Sequence, residues 1–440
     1  MQKIQILVPE LSPRIEYTFR LVFESLLKIQ LPIEWLKEVS EDDSANSLQI
    51  SYHAAFPNFG HFYFHPHGLL SESTICKEYA ALEFKSEGGI MASFFSQHLK
   101  AVFPFDPFAL IFYLVSRYEE YTCEEKDHHG RFVAQSSDAH RYNFLQKPLV
   151  NLWAARIKEK LLGSFPRLPF GKKNYTFLAT YDIDYAFAFR AKAWWRQLGV
   201  LARNLVRMDG ETLKLQWKTY LNKNKDPYDT FAYLVQLHQK TQAAKCYFFL
   251  LGDYGKYDKN IHYQNKTFQQ LIQKLAGAYP VGLHPSYASN LSIKQLKKEK
   301  ARLENILNQQ ITKSRQHFLK LEFPNTYQNL LAIGVEEDYS MGYAHDVGFR
   351  ASIAEAFQWF DLSRNKATNL LVHPFQYMDV TLHTYLRLKP KAALDYIQNV
   401  MQETKNVSGQ LISLWHNNSL CEAWEWKGWR EMYENFLSKT

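Results

Sequence analysis

The chain is 440 residues long, 46% hydrophobic and 15% aromatic, with a formal net charge of +8. That length suits two or three domains, and that composition excludes a disordered or low-complexity chain. The positive charge is dispersed and no helix-turn-helix, zinc-finger or RNP-like pattern accompanies it, so it reads as solubility charge and not as a nucleic-acid footprint.

Met1–Glu10 is too short and too early broken by Pro9 to be a signal peptide; Lys3–Val8 within it reads as a first strand. Leu48–Tyr52 and His61–Phe64 read as further strands. His61, His65 and His67 crowd this stretch, and His65 and His67 share one face of a strand. No carboxylate stands at a diagnostic spacing from them, which favours a structural or surface role over a metal cluster. Pro107–Tyr121, with Asp106 as its N-cap, reads as a buried helix because Phe108, Phe112, Val115 and Tyr118 recur at helical spacing. Its apolar part, Pro107–Val115, is about half of a membrane span, so no membrane span is expected. The loop from Glu124 to Arg131 is polar and turn-rich. The four cysteines, Cys76, Cys123, Cys246 and Cys421, are scattered without a CxxC pair. They argue against cysteine-ligated zinc and for a reducing, cytoplasmic setting.

Pro166, Pro169 and Gly171 with Lys172 and Lys173 form a breaker-rich link. It divides the chain into an N-terminal α/β domain, residues 1–170, and a second domain, residues 171–440. In the second, strand-like runs at Thr176–Asp184, Cys246–Gly252, Pro280–Ser286, Ile311–Leu319, Leu331–Tyr339, Asn369–Phe375 and Gln410–His416 are separated by helix-length connections. Such spacing implies parallel crossovers, hence an α/β sheet or barrel. Arg190–Arg207 reads as a basic amphipathic helix packed on its own domain, and Trp424, Trp426 and Trp429 as packing anchors.

Chemistry collects at the strand ends. Thr180-Tyr181-Asp182-Ile183-Asp184 closes the first of these runs, and the period of two puts Asp182 and Asp184 on one side. Two carboxylates this close repel, and a site that keeps both usually supplies a cation or shares a proton. Histidine or carboxylate also marks the ends His284-Pro285-Ser286-Tyr287, Ser314-Arg315-Gln316-His317, Glu336-Glu337-Asp338, His373-Pro374-Phe375 and Trp415-His416-Asn417. In parallel α/β folds the carboxyl ends of strands carry the site, so their joint placement points to a metal-assisted catalytic centre.

These segments resemble the polysaccharide deacetylase superfamily (the NodB-homology or carbohydrate esterase family 4 fold), over about residues 171–440. The N-terminal part, with Asp106-Pro107-Phe108-Ala109 and Ser116-Arg117-Tyr118-Glu119-Glu120-Tyr121, is similar to an uncharacterised domain that precedes the barrel in a bacterial branch. The resemblance implies a deformed (β/α)7-type barrel and a metal-dependent hydrolase that removes an N-acyl group, most simply acetyl, from a carbohydrate or glycan precursor. It implies Asp182 as catalytic base, Asp184 and His284 as metal ligands, Arg315 as the arginine that orients the base, His416 as general acid and Asp338 as its supporting carboxylate. The family's second motif carries another histidine four positions on, where this chain has Ala288. His373 is therefore expected as the third ligand, with Zn²⁺ the metal best suited to two imidazoles and one carboxylate. Ala288 also supports the alternative: an inactive carbohydrate-binding or assembly protein on a decayed barrel.

Overall fold

The computed structural model describes residues 3–440 except 39–46, 58–59, 61, 97, 193–196, 198, 200, 201, 203, 205, 207 and 242. His61 and much of the expected basic helix at 190–207 thus lie outside the described residues.

The N-terminal region builds a four-stranded parallel sheet in the order β2-β1-β3-β4, from β1 (Lys3–Leu7), β2 (Ile33–Leu36), β3 (Ser47–Tyr52) and β4 (Phe62–Phe64). A short antiparallel pair, β5 (Lys85–Glu87) and β6 (Ile90–Ala92), follows. The apolar helix Pro107–Val115 is capped as expected: the Asp106 carboxylate accepts the backbone N–H groups of Phe108 and Ala109, each at 3.0 Å. It ends sooner than its periodicity suggests, because Arg117 adopts a left-handed conformation (φ 56°) before a second short helix, Tyr118–Thr122.

The larger sheet has nine strands. They are β7 (Thr176–Ile183), β8 (Ala244–Leu250), β9 (Val281–His284), β10 (Lys313–Ser314), β11 (Glu337–Asp338), β12 (Phe357–Asp361), β13 (Lys366–Val372), β14 (Tyr377–Met378) and β15 (Gln410–His416). Their order is β12-β13-β11-β10-β9-β8-β7-β15-β14, parallel throughout except for the β12–β13 pair. Against the expected (β/α)7-type barrel, this order has two open edges, β12 and β14, and no pairing among the described residues joins them.

Side chains from the carboxyl ends of separate strands meet. The Arg315 guanidinium, just past β10, reaches over β9 and β8 to bond the Asp182 carboxylate of β7 at 3.1 Å.

The N-terminal region is not separate in its packing. One continuous apolar cluster runs through both sheets, from Ile4 and Phe108 to Phe360 and Trp415. The Tyr17 hydroxyl donates to the Gln358 carbonyl of β12 at 2.7 Å, and Arg350 clasps Glu120 through Nε and Nη2 at 2.9 and 2.6 Å. No helix among the described residues is long and apolar enough to cross a membrane.

Candidate metal centre

Asp182 and Asp184 stand at the end of β7, as the period of two requires, and both are buried. Arg315 closes over Asp182: its Nη1 donates to Asp182 Oδ1 at 3.1 Å and to Thr180 Oγ1 at 2.6 Å, and its Nε donates to the Tyr339 carbonyl at 2.9 Å. The guanidinium lies 4.7 Å from the centre of the Phe248 ring. Aromatic packing and three polar partners fix it where a base-orienting arginine is expected.

Asp184 faces two imidazoles. His284, at the end of β9, donates from Nδ1 to the Arg315 carbonyl at 2.5 Å. This leaves its Nε2 as a lone-pair donor atom, aimed at Asp184 Oδ1 from 3.1 Å. The second imidazole belongs to His317, whose Nδ1 donates to Asp258 Oδ1 at 2.8 Å and whose Nε2 lies 3.4 Å from Asp184 Oδ2. Side-chain donor atoms of Asp184, His284 and His317 all fall within 4.8 Å of one another.

The protonation pattern decides what belongs between them. With both Nδ1 atoms committed as donors, each Nε2 faces the Asp184 carboxylate, and positive charge belongs between them, as a proton on an imidazole or as a metal ion that displaces it. Asp184 Oδ1 and His284 Nε2 are buried without a hydrogen-bond partner, which costs free energy unless a cation or proton fills the gap. The electrostatics agree. Burial disfavours the His317 charge, but Asp184 and Asp258 on either side push it up to about 9. Burial likewise opposes the Asp184 charge, yet the His317 and His284 imidazoles hold that carboxyl well below its usual range. Two imidazoles and a carboxylate are a donor set that divalent zinc accepts, and the second carboxylate, Asp258, orients its histidine as such partners commonly do.

His416, at the end of β15, is the cross-strand neighbour of Asp182, and its Nε2 lies 3.6 Å from Asp184 Oδ2. Its carboxylate partner is Asp379, not the expected Asp338. Asp379 Oδ1 accepts from Nδ1 at 2.8 Å and Oδ2 accepts the His416 backbone N–H at 2.7 Å. Burial alone would lower the His416 pKa, but Asp379, then Asp184 and Asp182, raise it to about 10. Asp338 is committed elsewhere: it accepts from the Ser314 and Ser340 hydroxyls at 2.8 and 2.9 Å and from the Ser340 N–H at 2.8 Å.

The structure does not bring His373 to Asp184. Its ring stacks on Tyr339 with centroids 4.3 Å apart, and its Nε2 lies 3.1 Å from Glu337 Oε2. His317 occupies the place expected for it. Ala288 keeps a part in the arrangement through its backbone, since the N–H groups of Tyr287 and Ala288 donate to Asp258 at 2.9 and 3.3 Å. Asp182, Asp184, His284, His317 and His416 line one cavity of about 150 Å³.

The sequence of residues 4–166 matches the model of a family of unknown function, DUF7033. No curated protein matches the chain. Among solved structures the chain is similar to a Mycobacterium smegmatis protein named as a polysaccharide deacetylase, at 12% identity and TM-score 0.41 over 61% of this chain and 84% of that one. It is similar to PuuE allantoinase at 10% identity and TM-score 0.38, over 60% and 83% of the two chains. A carbohydrate esterase family 4 pseudoenzyme from Bacillus anthracis follows at 13% identity and TM-score 0.31, over 61% and 60%. Likenesses this remote carry no functional weight; the side chains do.

Proposed function

We propose that the chain is a metal-dependent hydrolase that removes an N-acyl group, most simply acetyl, from a carbohydrate or glycan precursor. The boundary between its two parts is placed at residues 170 and 171. The observation that carries the reading is the convergence of Asp184, His284 and His317, with Asp184 Oδ1 and His284 Nε2 left unpaired, which suits a cation in a cavity that also holds a base and an acid.

Zinc held by these three residues would polarise the acyl oxygen and lower the pKa of a water. Asp182 stands beside that position to take the proton, held in place by Arg315. His416, charged through its bond to Asp379, would pass a proton to the leaving amine. A binding protein has no use for a base and an acid beside one cation site. The decayed-barrel alternative drew on Ala288, and His317 supplies the imidazole which that position lacks. Four unpaired thiols suit a reducing compartment, the cytoplasm.

The test is zinc reconstitution of the full chain followed by assay of acetate release from N-acetylglucosamine and its oligomers. Zinc-dependent release supports the reading. Stoichiometric zinc without release from any acylated sugar sinks it.

A further inference from the structure

The polar loop at 124–131 belongs to the N-terminal region, yet it reaches the metal centre. Asp127 organises it: its Oδ1 accepts the backbone N–H groups of His129 and Arg131, both at 2.9 Å. Gly130 turns the chain at φ +77°, a conformation that favours glycine. The loop then packs against the carboxyl end of the larger sheet at five places. The His129 ring meets Tyr257, Tyr287 and Phe318, from the loops after β8, β9 and β10. Arg131 donates from Nη1 to the Phe318 carbonyl at 2.9 Å, and its Nη2 lies 3.3 Å from both His345 Nε2 and the Tyr385 hydroxyl, which follow β11 and β14.

Arg131 is 3% exposed and lines the same cavity as Asp182, Asp184 and His416. Burying a guanidinium is costly unless it is paired, and Asp127 pairs it at 2.7 Å. An apolar residue would seal the loop at lower cost. None of these bonds uses the second N–H of Nη1.

We propose that this loop is the roof of the site, that Arg131 binds substrate through a donated hydrogen bond, and that the roof confines the enzyme to a free N-acylamino sugar or the end unit of a chain. This rests on the deacylase reading above. The cavity of about 150 Å³ is smaller than the roughly 300–1,000 Å³ of pockets that enclose a drug-sized ligand, so it holds one acylamino head group. The roof walls the β8–β11 side of the mouth and reaches Tyr385, after β14, on the far side, and an interior unit needs room for chain on both sides.

The zinc-loaded full chain is assayed on N-acetylglucosamine and on its linear tetramer, with the deacetylated position located by mass spectrometry. The expected result is loss of one acetyl group, from an end unit of the tetramer. Arg131→Lys should raise KM about 10-fold, the worth of one good hydrogen bond, with kcat within about 3-fold and zinc content unchanged. Tyr385→Phe, which leaves the guanidinium in place, should raise KM less and serves if the first variant fails to fold. Deacetylation of inner units, or KM unchanged in both variants, overturns the proposal and leaves the deacylase reading intact. Zinc-loaded protein that releases acetate from neither probe brings down that reading and this proposal together.

Discussion

Two buried clusters of charge hold this molecule together and give it a site, and they are built on opposite rules. At the seam between the two sheets, Arg117 donates to Glu119 at 2.6 Å and to Glu120 at 2.7 Å, while Arg350 reaches Glu120 from the other side. The second Glu119 oxygen accepts the Asp138 N–H at 2.8 Å, and Arg350 Nη1 donates to the Gly342 carbonyl at 3.0 Å. Donors meet acceptors there, and the cluster is complete as it stands. At the candidate metal centre Asp184 Oδ1 and His284 Nε2 are left without a partner, and positive charge must come from outside. A self-satisfied buried network is architecture; one left short of positive charge is a place for a ligand.

The comparison breaks most visibly when the acceptors are removed. Asp184→Ala should abolish zinc binding and hydrolysis, read by metal analysis and acetate release. The seam should behave in the opposite way. Glu120→Ala leaves two buried guanidinium groups without a shared counter-ion, at a cost of about 3–5 kcal/mol, measured by urea unfolding. Its folded fraction should keep its zinc. A Glu120→Ala protein as stable as wild type would mean that the seam is not what ties the sheets together.

Within the site, Asp182→Asn should retain zinc and lose about 10²-fold or more in turnover if proton transfer limits the rate. Asp258 sharpens the assignment of the third ligand. Asp258→Ala frees the His317 imidazole to rotate and should weaken zinc binding by about 10- to 100-fold, the usual effect of removing a partner that orients a ligand. His373→Ala should leave zinc affinity as it was. The reverse pattern would restore His373 as the ligand.

The side chains gathered at the candidate site were legible in large part, because the same rule, chemistry at the carboxyl ends of strands, marks Asp182, Asp184, His284, Arg315 and His416. His317 carried a signal of the same kind that places Asp182 beside Asp184: it stands two residues past Arg315. The family's spacing drew attention to Ala288 and then to His373 instead. Asp379 was hidden because β14 pairs over Tyr377–Met378 alone, too short a run to read as a strand end. Asp258 lies in an irregular loop, between Gly252 and the helix that starts at Lys266, and becomes visible only through the bonds it accepts. The antiparallel edge strand β12 was missed as well, and with it the open order of the sheet. What no local pattern revealed was Arg131, because its relation to the site depends on how two distant parts of the chain pack.

The smallest effect concerns the cluster that holds His373, which is stacked on Tyr339 and set beside Glu337. Glu337 sits beside His373, Lys313 and the Tyr339 hydroxyl. The His373 contact, opposed by burial and assisted by Lys313 and Tyr339, draws its carboxyl down to about 2 from 4.5. A carboxylate whose folded pKa is depressed stabilises the fold above its unfolded pKa, and that stabilisation fades as pH falls through the folded value. The Glu337 side chain is 25% exposed, and solvent screening should reduce its contribution to about 1 kcal/mol. Glu337→Gln should therefore cost about that much at pH 7. The gap to wild type should narrow once the pH drops below about 4.5 and go on closing toward about 2. Urea unfolding of both proteins from pH 7 down to pH 3 reads the difference. A gap that stays constant over that range would show that Glu337 contributes through packing and not through its charge, and would leave the position of His373 without an electrostatic cause.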